Sequence, residues 1–139
     1  MDIRKSFENA FKRKIEKGWE KIYVIVDIHD TILHASYENE ETYCYLPNAK
    51  EALQKLSDRD DVCLILWTSC HNEQLEAYLR HFADNGIVFD YANKNPEVED
   101  TSISNFSDKL YFNVGIDDKF GFDGETDWEK VIEALDTLG

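Results

Sequence analysis

The sequence predicts an α/β fold of the doubly wound class, a parallel sheet with helices on both faces. Short apolar runs at 22–26, 62–67, 87–89 and 110–116 read as buried strands. Segments of helical spacing alternate with them, which is the signature of parallel strands joined by crossover helices. The 139 residues, 42% of them hydrophobic, suffice for a single domain over 1–139 with its own core and no disulfide staples. No repeat, linker or low-complexity segment divides the chain.

Each element has a local reason. Ile3, Phe7, Phe11, Ile15 and Trp19 recur every four residues and predict an amphipathic N-terminal helix over 1–20, loosened at its end by Gly18. The β-branched run Ile22-Tyr23-Val24-Ile25-Val26 is the first strand. In the polar stretch 34–45, Tyr37, Tyr43 and Tyr45 alternate as in a small hairpin, packing across strands or lining a flap. Pro47-Asn48 opens a helix over 49–56, since proline suits a first turn. A second strand at 62–67 leads to a helix over 72–84, with Leu75, Tyr78, Leu79 and Phe82 on one face and Asn85-Gly86 as its stop. Ile87-Val88-Phe89 is a short third strand, 93–109 a polar loop, and 110–116 the last strand. A closing helix over 128–138 takes Thr126 or Asp127 as its N-cap.

Charge narrows the function classes. Lys and Arg number 15 against 29 Asp and Glu, a net of −14, so no general nucleic-acid-binding surface is expected. Residues 1–21 run the other way, with seven Lys/Arg against four acids; they read as a solvated basic face or a docking arm. No apolar run approaches the ~18 residues of a membrane span, and the N-terminal charges have no apolar stretch behind them as in a signal peptide. Three cysteines, Cys44, Cys63 and Cys70, form no C-x-x-C pair, which fits reduced thiols in a cytoplasm.

In doubly wound sheets ligands sit at the carboxyl ends of the strands. Those ends carry Asp27-Ile28-His29-Asp30-Thr31, Thr68-Ser69, Lys94 a little beyond the third strand, and Asp117-Asp118. Carboxylates, a hydroxyl and an ammonium are the parts of metal-assisted phosphoryl transfer. Each also has a plainer use: Asp27 in a turn, Thr68-Ser69 as an N-cap, Lys94 on the surface, Asp117-Asp118 as a solvated turn, His29 as a structural histidine.

With those residues in place, the sequence resembles the haloacid dehalogenase superfamily over roughly residues 21–138. Val26-Asp27-Ile28-His29-Asp30-Thr31-Ile32-Leu33 is similar to its first motif, D-x-D-G-T-L after a strand. Leu64-Ile65-Leu66-Trp67-Thr68-Ser69 is similar to the second, Asn93-Lys94-Asn95-Pro96 to the third, and Val114-Gly115-Ile116-Asp117-Asp118 to the fourth. Response-regulator receiver domains use the same parts in another chain order, with the acidic pair first; here the pair comes last.

The resemblance implies a Rossmann-like core with a minimal flap, because about nineteen residues between Asp27 and the 47–56 segment leave no room for a large cap. It implies Asp27 as a nucleophile forming an aspartyl-phosphate, and a Mg2+ ion held by Asp27, the backbone carbonyl of His29, Asp117 and Asp118. It further implies that Thr68, Ser69 and Lys94 bind the phosphoryl oxygens. The partner would be a phosphorylated substrate, a small molecule or the end of a macromolecule. Two positions depart from the motif: His29 stands where the family has its general-acid aspartate, and Asp30 where it has glycine. An imidazole can carry acid and base work. The same substitution also suits a weak or inactive phosphate-binding regulatory protein, the second function class.

Overall fold

A computed structural model describes residues 2–34, 44–69, 72–97 and 111–138. In chain order these form α1 (Ile3–Lys17), β1 (Ile22–Val26), α2 (Ala49–Ser57), β2 (Val62–Leu66), α3 (Asn72–Asp84), β3 (Tyr91–Ala92), β4 (Val114–Ile116), a 3-10 turn (Asp118–Phe120) and α4 (Asp127–Leu138). The four strands make one parallel sheet in the order β3-β2-β1-β4, with Val26 opposite Leu66 on one side and Ile116 on the other. This is the α/β Rossmann-like class that the alternating pattern predicts. The order reverses between β1 and β4, so the crevice outside their carboxyl ends is the topological switch point.

One hydrophobic cluster joins Val24, Val26, Leu64, Leu66, Val114 and Ile116 to residues of all four helices. The alternate residues Ile25, Cys63 and Ile65 turn to the other face, where Tyr23 and Tyr91 pack on them. The helices among the described residues thus gather on one face, rather than on both as the sequence pattern predicts, with α4 packed between α1 and α2. For α2 and α3 that placement follows from connectivity: right-handed crossovers from β1 to β2 to β3 progress in one direction and keep their helices on the same side. The segment 98–110, through which the chain passes to β4, lies outside the described residues.

Three sequence expectations shift. Ile3, Phe7, Ala10 and Phe11 of α1 are buried, yet Ile15 is 77% exposed. A strict four-residue repeat advances by about 40° per step around a helix of 3.6 residues per turn, so the stripe has wound off the core by the fourth member. Asp2 caps the start of this helix by accepting the Arg4 N–H, and Gly18, at φ 70°, closes it. Two of its basic residues are paired, Arg4 with Glu133 and Lys14 with Asp61.

The third strand is Tyr91–Ala92 rather than 87–89. The Ile87 N–H is spent on the Phe82 carbonyl to finish α3, and the Val88 N–H on Ser57 Oγ, which leaves no ladder there. The last strand is described over Val114–Ile116, preceded by Asn113, whose backbone and side chain both bond Tyr23. The residues flanking the 35–43 segment pair antiparallel, with the His34 N–H on the Cys44 carbonyl and the Leu46 N–H on the Ile32 carbonyl; the segment itself lies outside the described residues. Tyr37 and Tyr43 lie outside the described residues; Tyr45 stacks on His81 of α3 at 5.8 Å between ring centroids. Among the described residues no helix is long and apolar enough to cross a membrane.

Candidate functional site

Parallel pairing brings the ends of all four strands to one edge of the sheet, and β1 and β4 are direct neighbours there. The Asp27 N–H extends that ladder by bonding the Ile116 carbonyl at 2.9 Å, which sets Asp27 beside Asp117. Asp27, Asp117 and Asp118 each offer a carboxylate oxygen within 4.8 Å of the others. Asp117 is buried, Asp27 half-buried and Asp118 exposed.

That crowding has an electrostatic cost. Burial, then the neighbouring charge of Asp117, pushes the Asp27 carboxyl up to about 6, against the lowering effect of the Ile28 amide. Asp118 is also raised, first by a hydrogen bond shared with Asp117 and then by burial. Asp117 accepts the Lys119 N–H at 3.0 Å and so caps the 3-10 turn that carries Asp118. A compact all-oxygen donor set with surplus negative charge suits a hard divalent cation such as Mg2+. The three carboxylates present therefore fit a divalent cation.

The turn after β1 is tightly specified. Asp30 adopts φ 59°, the left-handed region where glycine has no steric penalty and aspartate is among the better-tolerated substitutes. Its N–H bonds the Leu33 carbonyl at 2.8 Å. Thr31 is fully buried; its Oγ1 lies 3.4 Å from Asp27 Oδ2 and 3.3 Å from the Asp118 N. His29 is half-buried, with Nε2 3.2 Å from the hydroxyl of buried Tyr78 on α3 and the two rings edge-on at 5.7 Å.

Thr68 and Ser69 follow β2, and Lys94 follows β3 by two residues. Thr68 is half-buried and its N–H bonds Asn93 Oδ1 at 2.8 Å, while Ser69 and Lys94 are exposed. The described contacts thus unite the three carboxylates, and tie the Thr68 loop to the Lys94 loop through Asn93. Cys70 and His71 lie outside the described residues. A cavity of about 410 Å³ opens beside Asp118, lined among others by Asp30, His34, Leu46, Phe122 and Glu125.

Three contributors were not singled out from the sequence. Tyr78 appeared only as part of the apolar face of a helix, and its hydroxyl marks no motif. Asn93 shows a weak signal, since asparagine tolerates the left-handed φ of 57° found there. Trp128, whose Nε1 donates to the Thr31 carbonyl at 2.6 Å, comes from the far end of the chain.

No protein-family model and no curated protein matches this chain. Among solved structures, that of a conserved protein from Bacteroides thetaiotaomicron matches with a TM-score of 0.64 and 29% sequence identity, covering 86% of this chain and 93% of the other. The Rossmann-like architecture is therefore shared over most of the chain.

Proposed function

We propose that this chain is a Mg2+-dependent phosphohydrolase or phosphotransferase of the haloacid dehalogenase type, working through an aspartyl-phosphate on Asp27. The observation that carries the reading is the convergence of Asp27 with Asp117 and Asp118 at the switch point, from strands far apart in sequence. Asp27, Asp117, Asp118 and the His29 carbonyl would hold the cation, whose charge favours an ionised Asp27 and draws in the phosphoryl oxygens.

In the first half-reaction an Asp27 carboxylate oxygen attacks phosphorus and the bond to the leaving oxygen breaks. His29 donates a proton to that oxygen, and Tyr78 holds the imidazole. Thr68, Ser69 and Lys94 take the equatorial oxygens, with Lys94 offsetting the gathered charge. In the second, water attacks the same phosphorus, gives its proton to His29, and releases phosphate and free Asp27. An alcohol in place of water makes the reaction a transfer.

The test is turnover of an aryl phosphate, then of phosphorylated nucleotides and sugars, with and without Mg2+. Expected is Mg2+-dependent turnover that Asp27→Asn abolishes; turnover surviving that change would sink the nucleophile assignment. A second reading, a phosphate-binding regulatory protein, draws on the engagement of His29 Nε2 by Tyr78. It predicts binding of beryllium fluoride at Asp27 without turnover, and a gain of hydrolysis in His29→Asp.

A further inference from the structure

We infer that the buried hydroxyl of Thr31 is a positioning group for the cation site, locking the Asp27 carboxylate of β1 to the Asp118 backbone beyond β4. The inference rests on reading Asp27, Asp117 and Asp118 as that site. Thr31 is 0% exposed, so its polar atoms need partners within the protein. They all have them. Its N–H bonds the Ile28 carbonyl at 3.3 Å, and its own carbonyl accepts Trp128 Nε1–H at 2.6 Å.

The direction of the bond to Asp118 is forced. A backbone amide can only donate, so Asp118 N–H must give its hydrogen to a lone pair on Thr31 Oγ1. The hydroxyl hydrogen is then left for Asp27 Oδ2, which can accept it whether the carboxyl is ionised or protonated. One oxygen atom therefore fixes both the rotamer of Asp27 and the approach of the Asp118 loop.

Trp128, itself fully buried on α4, fixes the Thr31 backbone from behind. Gly124 packs against the same turn so closely that an added Cβ would lie 2.8 Å from the Asp30 carbonyl and 3.3 Å from that of Thr31. The turn that carries the bridge thus has little freedom to relax. Serine can keep the bridge; valine has the shape of threonine and neither bond.

The test compares wild type, Thr31→Ser and Thr31→Val in the full chain by two measurements independent of turnover. The first is amide exchange at Asp118 followed by NMR in the metal-free protein. The second is Mg2+ affinity by calorimetry. Expected are near-wild-type values for Thr31→Ser. In Thr31→Val, exchange at Asp118 should quicken by about tenfold or more while the Asp27 amide, bonded to Ile116, keeps its protection. Mg2+ affinity should fall by about tenfold or more, the usual range for groups behind a metal's ligands.

Unchanged exchange in Thr31→Val would overturn the bridge, and unchanged Mg2+ affinity would overturn its role. A wild type that binds no Mg2+ would overturn the proposal with its site. A wild type that binds Mg2+ yet turns over no phosphate ester would defeat the hydrolase reading alone. Should Thr31→Val fail to fold, Thr31→Ala carries the same comparison.

Discussion

Asn93 Oδ1 accepts the Thr68 N–H at 2.8 Å, pinning the end of β2 to the end of β3. Asn93 does this from a left-handed backbone, φ 57°, that few residues other than glycine adopt readily. Asn93→Ala should therefore lose both the acceptor and the favourable backbone, and lower stability by roughly 1–2 kcal/mol. Asn93→Asp keeps an acceptor oxygen and a tolerated φ and should retain most of it. Thermal melts with Thr68 amide exchange decide the matter: equal protection in the alanine variant would remove the bond from the account.

The Asp27 carboxyl, raised to about 6 by burial and by Asp117, links stability to pH. It holds its proton more tightly folded than unfolded, where the ordinary value is about 3.9. Its contribution is thus fully present below about pH 4 and lost as pH rises through about 6. In EDTA, wild type should be less stable at pH 7.5 than Asp27→Asn by about 1–2 kcal/mol, after allowance for solvent screening, and the gap should close by about pH 4. Urea midpoints across this range measure it, and a gap independent of pH would contradict the assignment. Mg2+ should raise the wild-type midpoint at pH 7.5 and leave that of Asp27→Asn little changed.

Cys63 should be chemically silent. It is buried on β2 with its Sγ 3.6 Å from Glu97 Oε2, and burial with the charges of Glu97 and Asp90 pushes the thiol up to about 12. Cys44 is exposed. Iodoacetamide at pH 8, mapped by peptide mass spectrometry, should label Cys44 in the native protein and Cys63 only after unfolding. Native labelling of Cys63 at the rate of Cys44 would show that this face of the sheet opens.

Gly124 is required by contact rather than by conformation. An added Cβ would come within 2.5 Å of Leu46 Cδ1 and 2.8 Å of the Asp30 carbonyl, and the backbone oxygen has no room to yield. Gly124→Ala should cost about 1–3 kcal/mol and reduce Mg2+ affinity through the shifted Asp30-Thr31 turn. A melting temperature equal to wild type would mean that the 121–126 loop adjusts freely.

The sequence by itself determined the order of strands and helices and the residues at the strand ends, because periodicity and caps are local properties. Asp27, Thr68 and Asp117 stand where the apolar runs stop, and the fold carries them to one edge. Its failures were also local in origin: at 87–89 an apolar triplet reads as a strand until its N–H groups are found spent on Phe82 and Ser57. Only the tertiary structure decided that β1 lies between β2 and β4, the neighbour relation behind the meeting of Asp27 and Asp117 that the motif resemblance implied. It alone decided that Thr31, Tyr78 and Trp128 stand behind the site. Hydrogen bonds such as Trp128 to Thr31, 97 residues apart, depend on packing geometry that no spacing along the chain encodes. The bridge from Thr31 to Asp118 is of the same kind, since a buried hydroxyl acquires its partners only when two loops close over it.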